Sequence, residues 1–191
     1  PQSMSYGLLP GEKFEAPESV LTYSKKGYNG MSQNMHKFVR EHIVRGKWKY
    51  KERPVLLNSW EANYFDITEE KLINLAKAGK DIGIELFVMD DGWFGKRNDD
   101  TSSLGDWYVN KDKLSNGLAH LVDEINKIGL DFGIWIEPEM INKNSELYKK
   151  HPNWVLENPN AQHSEGRNHC MLDLTNNEVV DYMVKEISNI L

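Results

Sequence analysis

The chain has 191 residues, 39% hydrophobic and 27% charged, with a net charge of −6. Such a length holds one domain or a large piece of one. The acidic balance argues against nucleic acid and against an anionic membrane surface as partners, and no stretch reaches the roughly 18 apolar residues of a membrane span.

The opening PQSMSYGLLPGEKFE has no basic n-region and no apolar core, so no signal peptide is expected. It lacks an initiator Met, as a processed or excised chain would. Cys170 is the sole cysteine and can form no internal disulfide, which fits a reducing, cytoplasmic setting. Residues 1–50 are rich in Gly, Ser, Lys and Tyr. The alternation from Phe38 to Arg45 suits a strand or a short helix equally.

From residue 54 a rhythm begins. Val55-Leu56-Leu57-Asn58 reads as a short buried strand running into Ser-Trp-Glu. Asp66 or Thr68 can cap the helix of EEKLINLAKAGKDIG, whose face carries Leu72, Leu75 and Ala76 and whose stop is Gly79 or Gly83. Ile84–Met89 is a second strand. Residues 95–113 read as a long polar loop, with Asp99, Asp100 and Asp106 exposed. Ser115 or Asn116 can cap GLAHLVDEINKIG, with Leu118, Leu121, Val122, Ile125 and Ile128 as its apolar stripe and Gly129 as its stop. Phe132–Ile136 is a third strand ending in Glu-Pro-Glu. A short helix covers 145–150. Met171–Leu174 reads as a further strand. Asn176 or Asn177 then caps a last helix carrying Val179, Met183, Ile187 and Ile190.

Strands alternating with helices predict a parallel sheet with crossover helices. The strands are apolar throughout, as expected where both faces are covered. Ligands in such folds sit at the carboxyl ends of the strands, and those ends carry Trp60, Asp90-Asp91-Gly92-Trp93 and Trp135-Ile-Glu137-Pro-Glu139.

The Asp90–Asp91 pair poses a problem. Neighbours within a strand point to opposite faces. At a strand end, with Gly92 loosening the turn, both can face one pocket. Adjacent carboxylates there need a metal ion or ligand hydroxyls to satisfy their oxygens. Trp60, Trp93 and Trp135 favour hydroxyls, since aromatic faces pack on the apolar face of a sugar ring. A metal would draw on Asp90, Asp91, Glu137 and Glu139, but no His lies at a strand end, and His163 and His169 lack tight ligand spacing. Each signal also has an ordinary reading. Asp-Asp suits loop and cap chemistry, Trp135 suits a core, Glu137 and Glu139 suit structural roles, and Arg167 suits a solvated surface. On chemistry alone, paired carboxylates with aromatic platforms suit acetal hydrolysis, with Asp90 and Glu137 as the first candidates.

The segments NSWEANYFD (58–66), LFVMDDGWFG (86–95), GDWYVNKDKLSNGL (105–118), FGIWIEPEMI (132–141), HPNWVL (151–156) and GRNHCMLDLTNNEVVDYM (166–183) together resemble glycoside hydrolase family 36, the large, mostly microbial α-galactosidases. The resemblance covers about residues 51–191. It implies part of a (β/α)8 barrel over 51–191. Residues 1–50 then resemble the tail of an N-terminal β-sandwich domain with its linker. It implies a retaining mechanism in which an aspartate attacks the anomeric carbon and a second carboxylic acid protonates the leaving oxygen. The family's nucleophile lies in a Lys-Trp-Asp motif and its acid/base further on, so both are expected beyond Leu191. Asp90 and Glu137 are then no longer the catalytic pair.

What carries over is a galactose subsite. Asp90 and Asp91 match the pair that accepts hydrogen bonds from O4 and O6. Trp60 and Trp135 match pocket walls, and Arg167 matches an arginine that reaches the galactose. Glu137 and Glu139 become rim residues. The resemblance implies α-galactoside oligosaccharides such as melibiose and raffinose as substrates, no cofactor, no metal and a homo-oligomeric, tetrameric parent. Two other classes stand beside this reading: a non-catalytic galactoside-binding or vestigial domain, and a metal-dependent sugar isomerase on the same barrel.

Overall fold

The computed structural model describes residues 6–156 and 168–191. The chain divides into two compact units, Pro1–Arg53 and Pro54–Leu191. In the first, helix α1 (Gly27–Phe38) continues into a wide π turn, Val39–Ile43, so the ambiguous Phe38–Arg45 stretch is helical over most of its length. A 3-10 turn, Gly46–Lys49, follows. It presents Trp48, with Lys47, Lys51 and Arg53 ranged over its ring at 4.9–5.2 Å.

In the second unit, strands β1 (Leu56–Asn58), β2 (Leu86–Met89) and β3 (Asp131–Ile134) form a parallel sheet in sequential order. Its register pairs Leu57 with Phe87 and Phe87 with Phe132. The one-turn helix α2 (Trp60–Asn63) and helix α3 (Glu69–Asp81) connect β1 to β2, and helix α4 (Leu118–Ile128) leads into β3.

Helix α3 starts where Thr68 Oγ1 accepts a hydrogen bond from Lys71 N, with Glu69 and Glu70 in the first turn, where the helix dipole favours negative charge. It stops before Gly83, whose φ of +93° suits a residue without a side chain. Gly79 is not the stop. It is a packing site, because a Cβ there would lie 2.8 Å from Leu57 Cδ2. Helix α4 is capped by neither Ser115 nor Asn116. Its N-cap is Gly117, and the Asn116 amide donates to Glu69 instead. Gly129 ends it in the left-handed region.

Helices α3 and α4 pack against each other and against one side of the sheet. Leu57, in contact with α3, shares a face with Phe87, and Phe87, Met89, Leu72, Ala76, Leu121 and Ile125 are fully buried. The opposite face carries Leu56, Leu86 and Val88, and Leu56 is 50% exposed. The expectation of a sheet covered on both faces is therefore not met within these residues. A continuous apolar strand records that both faces need cover, not that this stretch of chain supplies it.

Met171–Leu174 does not add a fourth parallel strand. Strand β5 (His169–Met171) pairs antiparallel with β4 (Met140–Asn142), and Leu172 extends the ribbon by a bridge to Val155. Helix α5 (Glu146–Lys150) is capped by Ser145, and helix α6 (Asn177–Ile190) by Asn176. Val179 and Met183 are buried.

The loop over 95–113 is polar in sequence but packed in fact. Leu104 and Trp107 are buried with Arg97, Ser102, Ser103 and Asp106, as is Leu114 just after the loop. Gly95 N donates to Tyr108 O and Asn110 N to Trp93 O, so the loop closes on its own base. Among the described residues no helix is long and apolar enough to cross a membrane.

Candidate functional site

The three strand ends are tied together by hydrogen bonds. Ser59 N donates to Val88 O, Asp90 N to Ser59 Oγ (3.0 Å), and Trp135 N to Met89 O. Asn58 bridges two of the predicted residues. Its Nδ2 donates to Asp90 Oδ2 at 2.5 Å, and its Oδ1 accepts from Trp60 N at 2.7 Å. Trp60, Asp90 and Trp135 are thus set at the carboxyl ends of β1, β2 and β3, each half-buried.

The tryptophans divide by role. Trp60 stands edge-on to Tyr64 and Phe65 at the start of α2. Trp93 is fully buried, and its Nε1 donates to Trp135 O. It packs with Phe94 and Trp107, so it is core and not a platform for a ligand. Trp135 keeps partial exposure while its ring lies parallel to Phe94, centroids 6.3 Å apart.

The two aspartates occupy different environments. Asp90 Oδ1 accepts from Asp91 N, fixing the turn. Asp91 is 3% exposed, and its carboxylate meets the guanidinium of the fully buried Arg97. Arg97 Nε donates to Oδ1 and Oδ2 (3.0 and 3.1 Å), and Nη2 to Oδ2 (2.8 Å). Arg97 Nη1 donates to Ser102 O and Asn142 Oδ1, and Phe65 lies beneath the guanidinium at 5.3 Å. The Asp91–Gly92 turn is held from another direction by Lys113, whose Nζ donates to the carbonyls of Phe65, Gly92 and Arg97 at 2.7–2.9 Å. Burial pushes the Lys113 ammonium below its usual range, and Asp91 opposes that shift.

Asp106 is a second correction. It is buried rather than exposed, and its oxygens accept from Glu146 N and Leu147 N at the start of α5. Burial raises its carboxyl above the usual range, against the pull of those two bonds. Glu137 and Glu139 begin the turn into β4. Glu139 is exposed, while Glu137 Oε2 lies 3.8 Å from His169 Nδ1. Arg167 and His163 fall outside the described residues. Among the described residues no group of three or more His, Cys, Asp or Glu is placed to hold a metal. A polar cleft of about 630 Å³, bordered by Lys96, Tyr108, Asn144 and Lys149, includes none of Trp60, Asp90, Asp91 and Trp135.

Sequence reasoning missed Arg97, Lys113, Asn142 and the bridging part of Asn58. Arg97 sits in KRNDD, where polarity signals solvent. Only the buried loop around it turns it inward.

Taken together, these elements define an α/β protein whose parallel strands end in a polar, tryptophan-walled cluster. A family model described as Melibiase matches residues 13–191. The chain is 52% identical over its whole length to alpha-galactosidase AgaA of Geobacillus stearothermophilus, covering 26% of that protein. It is 48% identical over 98% of its length to the bifunctional alpha-galactosidase/sucrose kinase AgaSK of Mediterraneibacter gnavus, covering 20% of it. Among solved structures, a variant of the Geobacillus AgaA in complex with stachyose superposes with a TM-score of 0.87 at 54% identity, over 96% of this chain and 26% of that one. The chain belongs to the Melibiase family. It spans about a quarter of the length of the curated relatives it matches.

Proposed function

We propose that this chain is the opening part of the catalytic (β/α)8 barrel of a longer α-galactosidase, and that it supplies one wall of the galactose subsite. The observation that carries this reading is the cluster at the strand ends: Asp90 fixed by Asn58, Asp91 fixed by Arg97, and Trp60 and Trp135 beside them. The family membership supports it, as do relatives named as alpha-galactosidases and solved in complex with stachyose and raffinose. Residues 1–50 would then be the tail of a preceding β-domain with its linker. The half-open face of the sheet would meet further strands of the barrel.

In this reading Asp90 and Asp91 accept hydrogen bonds from O4 and O6 of a terminal α-linked galactose. An epimer with equatorial O4 leaves buried carboxylate oxygens unpaired, which is the costly outcome. Trp60 and Trp135 take the apolar face of the ring, and Arg167 reaches the sugar from the segment before β5. Glu137 and Glu139 stay at the rim. The nucleophile and the acid/base lie outside these 191 residues. The nucleophile attacks the anomeric carbon as the acid protonates the departing oxygen, and water then releases galactose with retention. Raffinose-type oligosaccharides are the substrates, with no cofactor, in a homo-oligomeric cytoplasmic enzyme.

The test is to assay the full-length protein on an aryl α-galactoside and on raffinose. Release of galactose of retained anomeric configuration supports the reading. A protein that binds galactose but never cleaves it would return the chain to the non-catalytic binding class.

A further inference from the structure

We propose that Arg97 is a positioning residue for sugar recognition: it sets the orientation in which Asp91 meets the galactose hydroxyl. The inference rests on the assignment of Asp91 to the galactose subsite.

The argument begins with what Asp91 has left to offer. An ionised carboxylate has about four lone-pair sites. The Nε–Nη2 edge of Arg97 lies along both oxygens, at 2.8–3.1 Å. The contacts fall once on Oδ1 and twice on Oδ2, so Oδ1 is the oxygen that keeps a lone pair for a ligand hydroxyl. A fork of two parallel N–H bonds also fixes the plane of the carboxylate, which a single point charge does not.

Arg97 is itself held on every side. Nη1 is bound by Ser102 O (3.0 Å) and Asn142 Oδ1 (2.9 Å), Asp100 Oδ1 lies 3.8 Å from Nη2, and Phe65 covers the guanidinium plane. Asn142 is in turn locked by Leu104 N and by the carbonyls of Asp100 and Asn168. The chain of contacts runs from β4 through Asn142 and Arg97 to Asp91. Arg97 has no exposure, and among the described residues its guanidinium meets the proposed site through the Asp91 carboxylate.

A loop staple alone does not need this chemistry. Burying an ion pair costs desolvation, and an apolar pair of similar volume is often as stable or more so. The pair lies immediately beside Asp90, at the end of the central strand. There, holding one carboxylate plane has a purpose that packing does not serve.

The experiment uses the full-length protein as wild type, R97K, D91N and the double variant. Each is assayed on an aryl α-galactoside and on its 4-deoxy and 6-deoxy analogues. R97K keeps the charge and loses the fork. It is expected to lower kcat/KM on the galactoside about 100-fold, the scale of an ångström-size misplacement. On the analogue that lacks the hydroxyl bound by Asp91, the loss is expected to be only a few-fold. The double variant is expected to be no worse than D91N. The ratio of rates on two substrates does not depend on how much protein is folded, so partial unfolding of R97K does not obscure the result. An equal fall on all three substrates, or losses that multiply in the double variant, overturns the proposal. If D91N is crippled and R97K is not, the Arg97 proposal alone fails. If D91N itself is near wild type on the galactoside, the assignment of Asp91 fails first.

Discussion

Asn58 ends β1 and Asp90 directly follows the end of the neighbouring parallel strand β2, and the Asn58 amide donates to the Asp90 carboxylate at 2.5 Å while its oxygen receives Trp60 N. One side chain thereby orients two residues of the proposed subsite. Asn58→Ala frees both. We expect kcat/KM on an aryl α-galactoside to fall about 10- to 100-fold, with a stability loss of about 1 kcal/mol. An unchanged rate in a measurably less stable protein would leave Asn58 a structural residue only.

Trp60 and Trp93 separate recognition from packing. Trp93 is fully buried within the aromatic cluster, and Trp93→Ala is expected to cost about 3–5 kcal/mol in urea unfolding. Trp60 is half-buried at the start of a one-turn helix. Trp60→Ala is expected to weaken galactose binding, measured by calorimetry, with a far smaller loss of stability. The reverse order would exchange their assigned roles.

Gly92 follows the aspartate pair with φ of +101°, and a Cβ there would lie 3.3 Å from the Phe65 backbone. Gly92→Ala is therefore strained in conformation and in space. A destabilisation of about 1–3 kcal/mol is expected, and a thermal unfolding curve matching wild type would contradict it. The same substitution displaces the Asp91 turn that Lys113 holds, so activity falls with it.

Asp106 gives the pH dependence. Its carboxyl is raised in the folded state from the ordinary 3.8, chiefly by burial. A raised acid contributes stability at pH below its unfolded value, and that contribution is lost as pH rises through the folded value. The stability of wild type relative to Asp106→Asn should therefore be greatest in acid and decline from near pH 4 upward. Urea midpoints of the two proteins across pH 3–7 check the sign. A difference that grows with pH would reverse it.

The frame of the second unit was legible because its signals are local. Leu56–Asn58, Phe87–Met89 and Phe132–Ile134 are apolar runs with polar ends, and Thr68, Gly129 and Asn176 mark helix ends by chemistry that acts within one turn. What was missed depends on distant partners. Asn116 stands one residue before the Gly117 N-cap of α4, and its amide donates instead to Glu69, 47 residues earlier. Asp106 is buried because α5 needs its oxygens. Arg97 and Asp91 stand six positions apart in a loop, where no periodicity announces a pair. The antiparallel ribbon of β4 and β5 joins short segments separated by a long stretch of chain, so neither reads as a strand alone.

The measurement that bears most directly on the proposed function is turnover of an aryl α-galactoside against the matching α-glucoside, which differs only at O4, by the full-length protein. Rapid release from the galactoside, with the glucoside slower by orders of magnitude, is the expected result. Comparable rates on the two sugars, or none on the galactoside, would contradict a galactose subsite built on Asp90 and Asp91.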